Sequence, residues 1–103
     1  MNAAVYEACA ARAGGRCECG CGKAIPPGHL DHFFGRAKAE ETEATCWFLH
    51  PRCDFEKTQN WPDAGAWLIK FMRHAQRHGY TEAYKRAADT FAWKAAKKGE
   101  ARP

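Results

Sequence analysis

The stretch Cys17-Glu18-Cys19-Gly20-Cys21-Gly22 places three thiols within five residues, and a second stretch, His50-Pro51-Arg52-Cys53, adds an imidazole and a fourth thiol. Tetrahedral zinc sites in proteins use four such nitrogen and sulfur ligands, usually supplied as two short-spaced pairs. The two stretches therefore predict one structural zinc ion, which joins segments that are far apart along the chain.

Three cysteines compete for the two places in the first ligand pair. The spacings of Cys17 with Cys21 and of Cys19 with Cys21 both depart from the usual Cys-x-x-Cys. We favour Cys17 and Cys21, with Cys19 as a spare or substitute ligand. His50 and Cys53 form the second pair, because imidazole is a competent zinc ligand. The alternative for His50 is a surface histidine at a helix N-terminus.

Six cysteines would also suit a disulfide framework. The first seven residues show neither the charged nor the apolar region of a secretory signal, so we expect no export and reduced thiols. At 103 residues the chain has the length of one small domain, whose limited core gains stability from a metal. Cys9 and Cys46 fall outside the ligand pairs, and we expect them to be buried as small hydrophobic residues.

A second set of polar residues, Asp31, His32 and Asp54, remains beyond the zinc ligands. Carboxylate oxygens suit a hard cation such as Mg²⁺ or Mn²⁺, and a histidine of ordinary pKa, about 6.5, can accept a proton from water at neutral pH. These residues predict a reactive metal centre with His32 as its base. Because adjacent strand residues point to opposite faces, Asp31 and His32 can share a site only at a strand end or with a local twist.

The order of these pieces is two ligands, then Asp-His, then two more ligands followed at once by a polar residue and x-x-Lys-Thr. This order resembles the HNH nucleases of the ββα-metal fold, in particular the zinc-stapled branch found in phage and bacterial genomes. The resemblance covers about residues 12–60. It implies that Asp31 binds a catalytic cation and that His32 is the general base.

The resemblance also assigns roles to two positions at which this chain departs from the family. Asp54 stands at the second metal ligand, where His is usual, and its carboxylate should favour hard cations. Alternatively, Asp54 only favours the helix N-terminus and pairs with Lys57. Thr45 stands where the family has an Asn that braces the loop carrying the base, a task that a hydroxyl performs less fully. Relatives more often carry Cys where His50 stands.

The patterning predicts an α+β domain over residues 1–103: a zinc-stapled ββα-metal core at 12–60, preceded by an N-terminal helix and followed by a helical extension at 61–98. We expect helices at 3–12, 51–59, 63–78 and 81–98, the last two amphipathic, and strands near 29–33 and 45–49. A turn at 25–28 should form a β-hairpin that joins the zinc-ligand segment to the first strand. The apolar residues of the last two helices are Trp67, Leu68, Phe71, Met72 and Ala75, then Ala83, Tyr84, Ala87, Ala88, Phe91, Ala92 and Ala95. The tryptophans should be core residues, with Trp61 the exception best suited to stacking.

Basic residues concentrate towards the C-terminus. Residues 70–103 contain nine Lys or Arg against three Asp or Glu, a net charge of +6. Such a surface suits a polyanion, and the alternative is an ordinary solvated face. No apolar run approaches the about 20 residues of a membrane-spanning helix, so we expect no membrane partner. We expect phosphate contacts with weak sequence selectivity from Arg36, Lys38, Arg52, Lys57, Lys70, Arg73 and Arg77.

These features lead to one functional prediction and two alternatives. The prediction is a metal-dependent HNH endonuclease that nicks or cuts DNA in the cytoplasm of a bacterium, host-encoded or phage-encoded, with structural Zn²⁺ and catalytic Mg²⁺ or Mn²⁺. The first alternative is a zinc-stapled nucleic-acid-binding module without turnover, suggested by Thr45 and Asp54. The second is a protein-interaction domain that uses the basic C-terminal helices.

Overall fold

The computed structural model of the protein describes residues 3–25, 30–35, 40–59 and 65–100. Within these ranges it contains four helices and a two-stranded antiparallel sheet, so the predicted α+β class is confirmed. The elements are α1 (Ala3–Ala13), β1 (Leu30–His32), β2 (Cys46–Phe48), α2 (Pro51–Gln59), α3 (Gly65–His78) and α4 (Thr81–Glu100). The chain divides into two compact units, residues 1–61 and 62–103.

In the first unit, β1 pairs with β2. The register sets Leu30 opposite Phe48, Asp31 opposite Trp47, and His32 opposite Cys46. The predicted hairpin partner of β1 is thereby corrected, because the described part of the zinc-ligand segment closes on itself through a bridge between Arg16 and Ala24. Residues 26–28, which make up most of the predicted turn, lie outside the described ranges.

The sheet sends alternate side chains to its two faces, as a pleated backbone requires. On one face, Cys46 and Phe48 pack with Cys9 of α1, and the ring of Tyr6 meets Phe48 edge-on at 5.2 Å between centroids. On the other face, Trp47 is buried with its ring perpendicular to that of Phe33. The strand β2 is therefore buried on both sides and forms the centre of this unit.

Two cysteines outside the ligand pairs occupy the core, as predicted. Cys9 and Cys46 are fully buried. Burial raises the pKa of the Cys9 thiol to about 11 and also raises the pKa of Cys46. Both side chains therefore stay neutral at physiological pH and act as small apolar residues.

A buried ion pair joins α1, the zinc-ligand segment and β2. The Arg12 guanidinium donates to both carboxylate oxygens of Glu18 at 2.7 and 2.8 Å and to the carbonyl of Cys46 at 2.8 Å. Glu18 also accepts the backbone N–H of Phe48 at 3.0 Å, while its own N–H donates to the Phe48 carbonyl at 2.8 Å. The two charged side chains are 9% and 5% exposed. The segment between Cys17 and Cys19 is thus anchored to the sheet.

In the second unit, α3 ends in a Schellman motif. Gly79 has a positive φ of 74°, which glycine adopts without strain. The N–H of Tyr80 donates to the Ala75 carbonyl at 2.9 Å, and that of Gly79 donates to the Gln76 carbonyl at 3.2 Å. These bonds satisfy carbonyls that the helix leaves without intrahelical partners, and they turn the chain directly into α4.

The apolar face predicted for α3 is confirmed at Trp67, Leu68, Phe71 and Ala75, all of which are buried. The structure adds His74 to this face, since its side chain is also buried. No histidine was predicted in the core face of this helix. Because His74 lies at the i+3 position from Phe71, the same helical periodicity accounts for its burial.

The apolar face predicted for α4 is only partly correct. Ala83 and Ala87 are buried, but Phe91 and Trp93 are exposed, the latter at 60%, so the expectation that Trp93 is a core residue is wrong. The cause is a difference in helix length. Gly65, the first residue of α3, lies next to the Phe91 ring, and α4 continues beyond it through Gly99 to Glu100 instead of ending at residue 98. Among the described helices, none combines the length and apolarity that a membrane span needs.

Replacing Arg12 with Ala should lower the free energy of unfolding by about 3–5 kcal/mol, because Glu18 would stay buried without its guanidinium partner. Denaturant titration followed by circular dichroism measures the loss. Arg73→Ala, at an exposed position of α3, is the matched control and should stay within about 0.5 kcal/mol of the wild type. A loss below about 1 kcal/mol in Arg12→Ala would show that the ion pair does not anchor the segment.

Candidate metal centre and active site

Four sulfur atoms converge in the first unit. Those of Cys17, Cys19, Cys21 and Cys53 all lie within 4.8 Å of one another. The distances are 3.3 Å from Cys17 to Cys19, 3.8 Å from Cys19 to Cys53, and 3.6 Å from Cys21 to Cys53. Thiolates around a tetrahedral zinc ion with bonds of about 2.3 Å would stand about 3.8 Å apart. The cluster could therefore hold a zinc ion, and none of the six cysteines forms a disulfide.

The loop between Cys17 and Cys21 explains why three ligands come from one short segment. In an extended strand, residues four positions apart would lie about 13 Å from each other. Here Gly20 and Gly22 take positive φ values of 98° and 77°, and the N–H of Cys17 donates to the carbonyl of Lys23 at 2.8 Å. The chain consequently curls back on itself and directs all three thiols to one point.

His50 lies outside the thiol cluster, so the expected ligand set is corrected. Its Nδ1 accepts the N–H of Arg52 at 3.1 Å and so caps the start of α2. Its own backbone N–H donates to the sulfur of Cys17 at 3.2 Å. A tetrahedral zinc site has four places, which the three thiols of the loop and the thiol of Cys53 would fill. The histidine supports the cluster through its main chain.

The electrostatics of the cluster favour a cation. Burial, together with the neighbouring thiols, raises the pKa of Cys19 and raises that of Cys53 to about 11. Burial also raises the pKa of Cys21, but the backbone N–H of Lys23 and hydrogen bonds from the other cysteines outweigh it and lower that pKa to about 7. Four thiols at this spacing cannot all ionise alone, because each thiolate repels the next. A bound divalent cation would remove that penalty.

Asp31 lies on the face of the sheet that carries Trp47. Its Oδ2 accepts the indole N–H of Trp47 at 2.8 Å, and the Nζ of Lys57 lies 3.4 Å from the same oxygen. Burial raises the pKa of Asp31. The charge of Lys57 and the hydrogen bond from Trp47 oppose that rise, whereas the charge of Asp54 adds to it. Asp54 lies in the first turn of α2 and Asp31 lies on β1, so this electrostatic effect acts between the helix and the strand.

Lys57 was predicted to contact phosphate, and its position in the structure corrects that expectation. Its side chain is only 9% exposed, is paired with Asp31, and lies 5.6 Å from the centre of the Phe33 ring. A lysine in this environment balances a buried carboxylate, so it is not a surface contact for a nucleic acid backbone.

His32 is directed to a different partner from Asp31. Its Nε2 lies 3.4 Å from a carboxylate oxygen of Glu41. Asp31, His32 and Asp54, all of them described residues, do not form a cluster of three ligands within 4.8 Å of one another. Strand alternation explains this arrangement, since Asp31 faces Trp47 and the next residue along β1 points away from it.

Thr45 braces the segment that carries Glu41. Its hydroxyl donates to the carbonyl of Glu40 at 2.7 Å and accepts the N–H of Thr42 at 3.0 Å, while its carbonyl accepts the N–H of Phe33 at 3.1 Å. No role was predicted for Glu41 from the sequence. Nothing in the local pattern distinguishes Glu41 from its acidic neighbours.

The remaining predicted nucleic-acid contacts differ in their surroundings. Arg52, Arg73 and Arg77 are exposed. The Nζ of Lys70 lies 4.1 Å from the centre of the Trp67 ring, a cation–π contact. Arg36 and Lys38 lie outside the described residues. Three exposed arginines and Lys70 thus remain as candidates for phosphate binding.

No protein-family model matches the chain, and comparison with curated proteins and with solved structures gives no significant match. Neither the family nor the activity is therefore assigned by similarity.

The zinc content of single variants tests the corrected ligand set. We expect the purified protein and His50→Ala to contain about one zinc per chain, because the four thiols complete the site without imidazole. Cys53→Ala should lose most of the metal, whereas Cys9→Ala, a buried cysteine outside the cluster, should keep it. Elemental analysis after gel filtration measures the ratio. Loss of zinc in His50→Ala equal to that in Cys53→Ala would restore the histidine as a ligand.

Proposed function

We propose that residues 12–60 form a zinc-stabilised nuclease core of the HNH type, which hydrolyses phosphodiester bonds in DNA. In this proposal Asp31 and Asp54 hold a divalent cation and His32 is the general base. The observation that supports it is the contact between Lys57 Nζ and Asp31 Oδ2 at 3.4 Å, which brings β1 against the helix α2 that also carries Asp54. Because Asp54 directly follows Cys53 of the thiol cluster, a zinc ion there would hold the second carboxylate in position.

The carboxylates have the chemistry that a hard cation requires. Both contacts of Asp31 described above fall on Oδ2, so a cation bound through both carboxylate oxygens would take the place of Lys57 at Oδ2. Asp54 supplies a second carboxylate from the first turn of α2. Carboxylate oxygens favour Mg²⁺ or Mn²⁺ over softer ions. When bound, such a cation neutralises charge that develops on the phosphate and on the leaving oxygen.

The contact between His32 and Glu41 suits a general base. In the tautomer with the proton on Nε2, the Nε2–H points to the Glu41 carboxylate, and the lone pair on Nδ1 can accept a proton from water. The imidazolium formed in that step is stabilised by the adjacent carboxylate. Thr45 supports the arrangement by bracing the segment that presents Glu41.

A second candidate function is nucleic-acid binding without turnover. The observation that favours it is the Lys57–Asp31 ion pair, which balances the charge of the carboxylate without a metal. The exposed Arg52, Arg73 and Arg77 then supply phosphate contacts, which release counterions and make binding salt-dependent.

Plasmid nicking in Mg²⁺ or Mn²⁺ tests the nuclease. Zinc-loaded wild-type protein should nick supercoiled DNA, and His32→Ala should lower the rate about 10²–10⁴-fold, the usual contribution of a general base. Lys85→Ala, an exposed basic position on α4, is the control and should nick at nearly the wild-type rate. Gel densitometry over time measures the rates.

DNA binding, measured by fluorescence anisotropy at two salt concentrations, separates the two candidate functions. Retained affinity with lost nicking in His32→Ala supports the enzyme. Salt-dependent binding by the wild type, with no nicking in either cation, would exclude the nuclease and favour the binding module.

A further inference from the structure

The buried ammonium of Lys57 lies beside the carboxylate of Asp31, which the proposed function assigns to a metal. Lys57 follows Asp54 by three residues on α2, and its Nζ reaches Asp31 Oδ2 at 3.4 Å. The indole N–H of Trp47 holds the same oxygen at 2.8 Å. The carboxylate is therefore oriented from one side by an indole and balanced by an ammonium.

We propose that Lys57 is a tethered competitor of the divalent cation: its ammonium neutralises Asp31 in the metal-free protein and must withdraw from Oδ2 when a cation binds. The inference rests on the proposed function, since it concerns the same pair of carboxylates. It adds a residue that sets the affinity of the site for its metal.

Burial supports this role over a role in phosphate binding. The side chains of Lys57 and Asp31 are 9% and 12% exposed, and the Phe33 ring lies against the ammonium at 5.6 Å. Charges screened so little by solvent interact more strongly than surface charges do. Unpaired, the buried Asp31 carboxylate would be costly, so the fold requires some cation at this point.

Charge balance predicts the direction of the effect. With Lys57 present, the two carboxylates and the ammonium carry a net charge of about −1 if both acids are ionised. Removing the ammonium leaves about −2 and also frees Oδ2, so a divalent cation is attracted more strongly. The wild type should bind a divalent cation weakly for the same reason, because each bound ion must displace the Lys57 ammonium from Asp31.

Binding of Mn²⁺ to the zinc-loaded protein, without DNA, tests the inference by isothermal calorimetry. Lys57→Met should bind Mn²⁺ at least about tenfold more tightly than the wild type, equivalent to about 1.4 kcal/mol. Lys57→Gln, whose neutral amide can still donate to Asp31, should show the same direction. Lys85→Met, which removes an exposed charge from α4, should leave the affinity unchanged.

Thermal unfolding supplies a second readout in case Lys57→Met is poorly folded. Its melting temperature should fall without Mn²⁺ and should rise with Mn²⁺ by more than that of the wild type, because a ligand that binds only the folded state stabilises it. The double variant Asp31→Asn with Lys57→Met removes the carboxylate as well, and it should show no response to Mn²⁺.

The Mn²⁺ comparison decides the role of Lys57 whether or not the protein nicks DNA. Equal or weaker Mn²⁺ affinity in both Lys57→Met and Lys57→Gln would overturn the inference while leaving a nicking activity intact. Tighter Mn²⁺ binding in these variants, without nicking in any of them, would support the inference and count against the nuclease. Absence of Mn²⁺ binding in every variant would overturn both.

Discussion

The first unit depends on the convergence of four thiols that the backbone brings within 4.8 Å of one another. Cys17, Cys19 and Cys21 converge because two left-handed glycines curl their loop, and Cys53 reaches them from the start of α2. Their sulfurs are close enough that only a shared cation lets all four ionise. That cation would join a loop to a helix that begins 30 residues later, which no local interaction could do.

Two further contacts transmit this constraint to the sheet. Glu18, set between two of the clustered cysteines, is fixed to α1 by Arg12 and to β2 by backbone hydrogen bonds with Phe48. On the helix side, Asp54 is adjacent to Cys53, and Lys57 follows one turn later. The position of the thiol cluster therefore sets where Asp54 and Lys57 lie relative to Asp31 on β1.

The proposed active site contains a tension between stability and function. Asp31 is contacted by Trp47 and Lys57, and His32 by Glu41, so both side chains proposed for catalysis already have partners within the protein. Strand alternation separates Asp31 from His32, which places the ligand and the base on different faces of β1. A base need not touch the metal, but it must reach the same water, so catalysis would depend on how substrate bridges those faces.

The sequence by itself determined what short-range patterns encode: the four helices, the buried face of α3 and a set of closely spaced thiols that could hold a zinc ion. Tertiary structure alone decided which side chains meet across the chain. In the thiol cluster, a third thiol of the loop stands in the place expected for His50, and β1 pairs with β2. Lys57 is buried against Asp31, and Trp93 is exposed where α4 extends beyond α3. The physical reason is that helical periodicity and turns depend on neighbours within a few residues, whereas ligand choice, ion pairing and helix overlap depend on distances that only the folded chain sets.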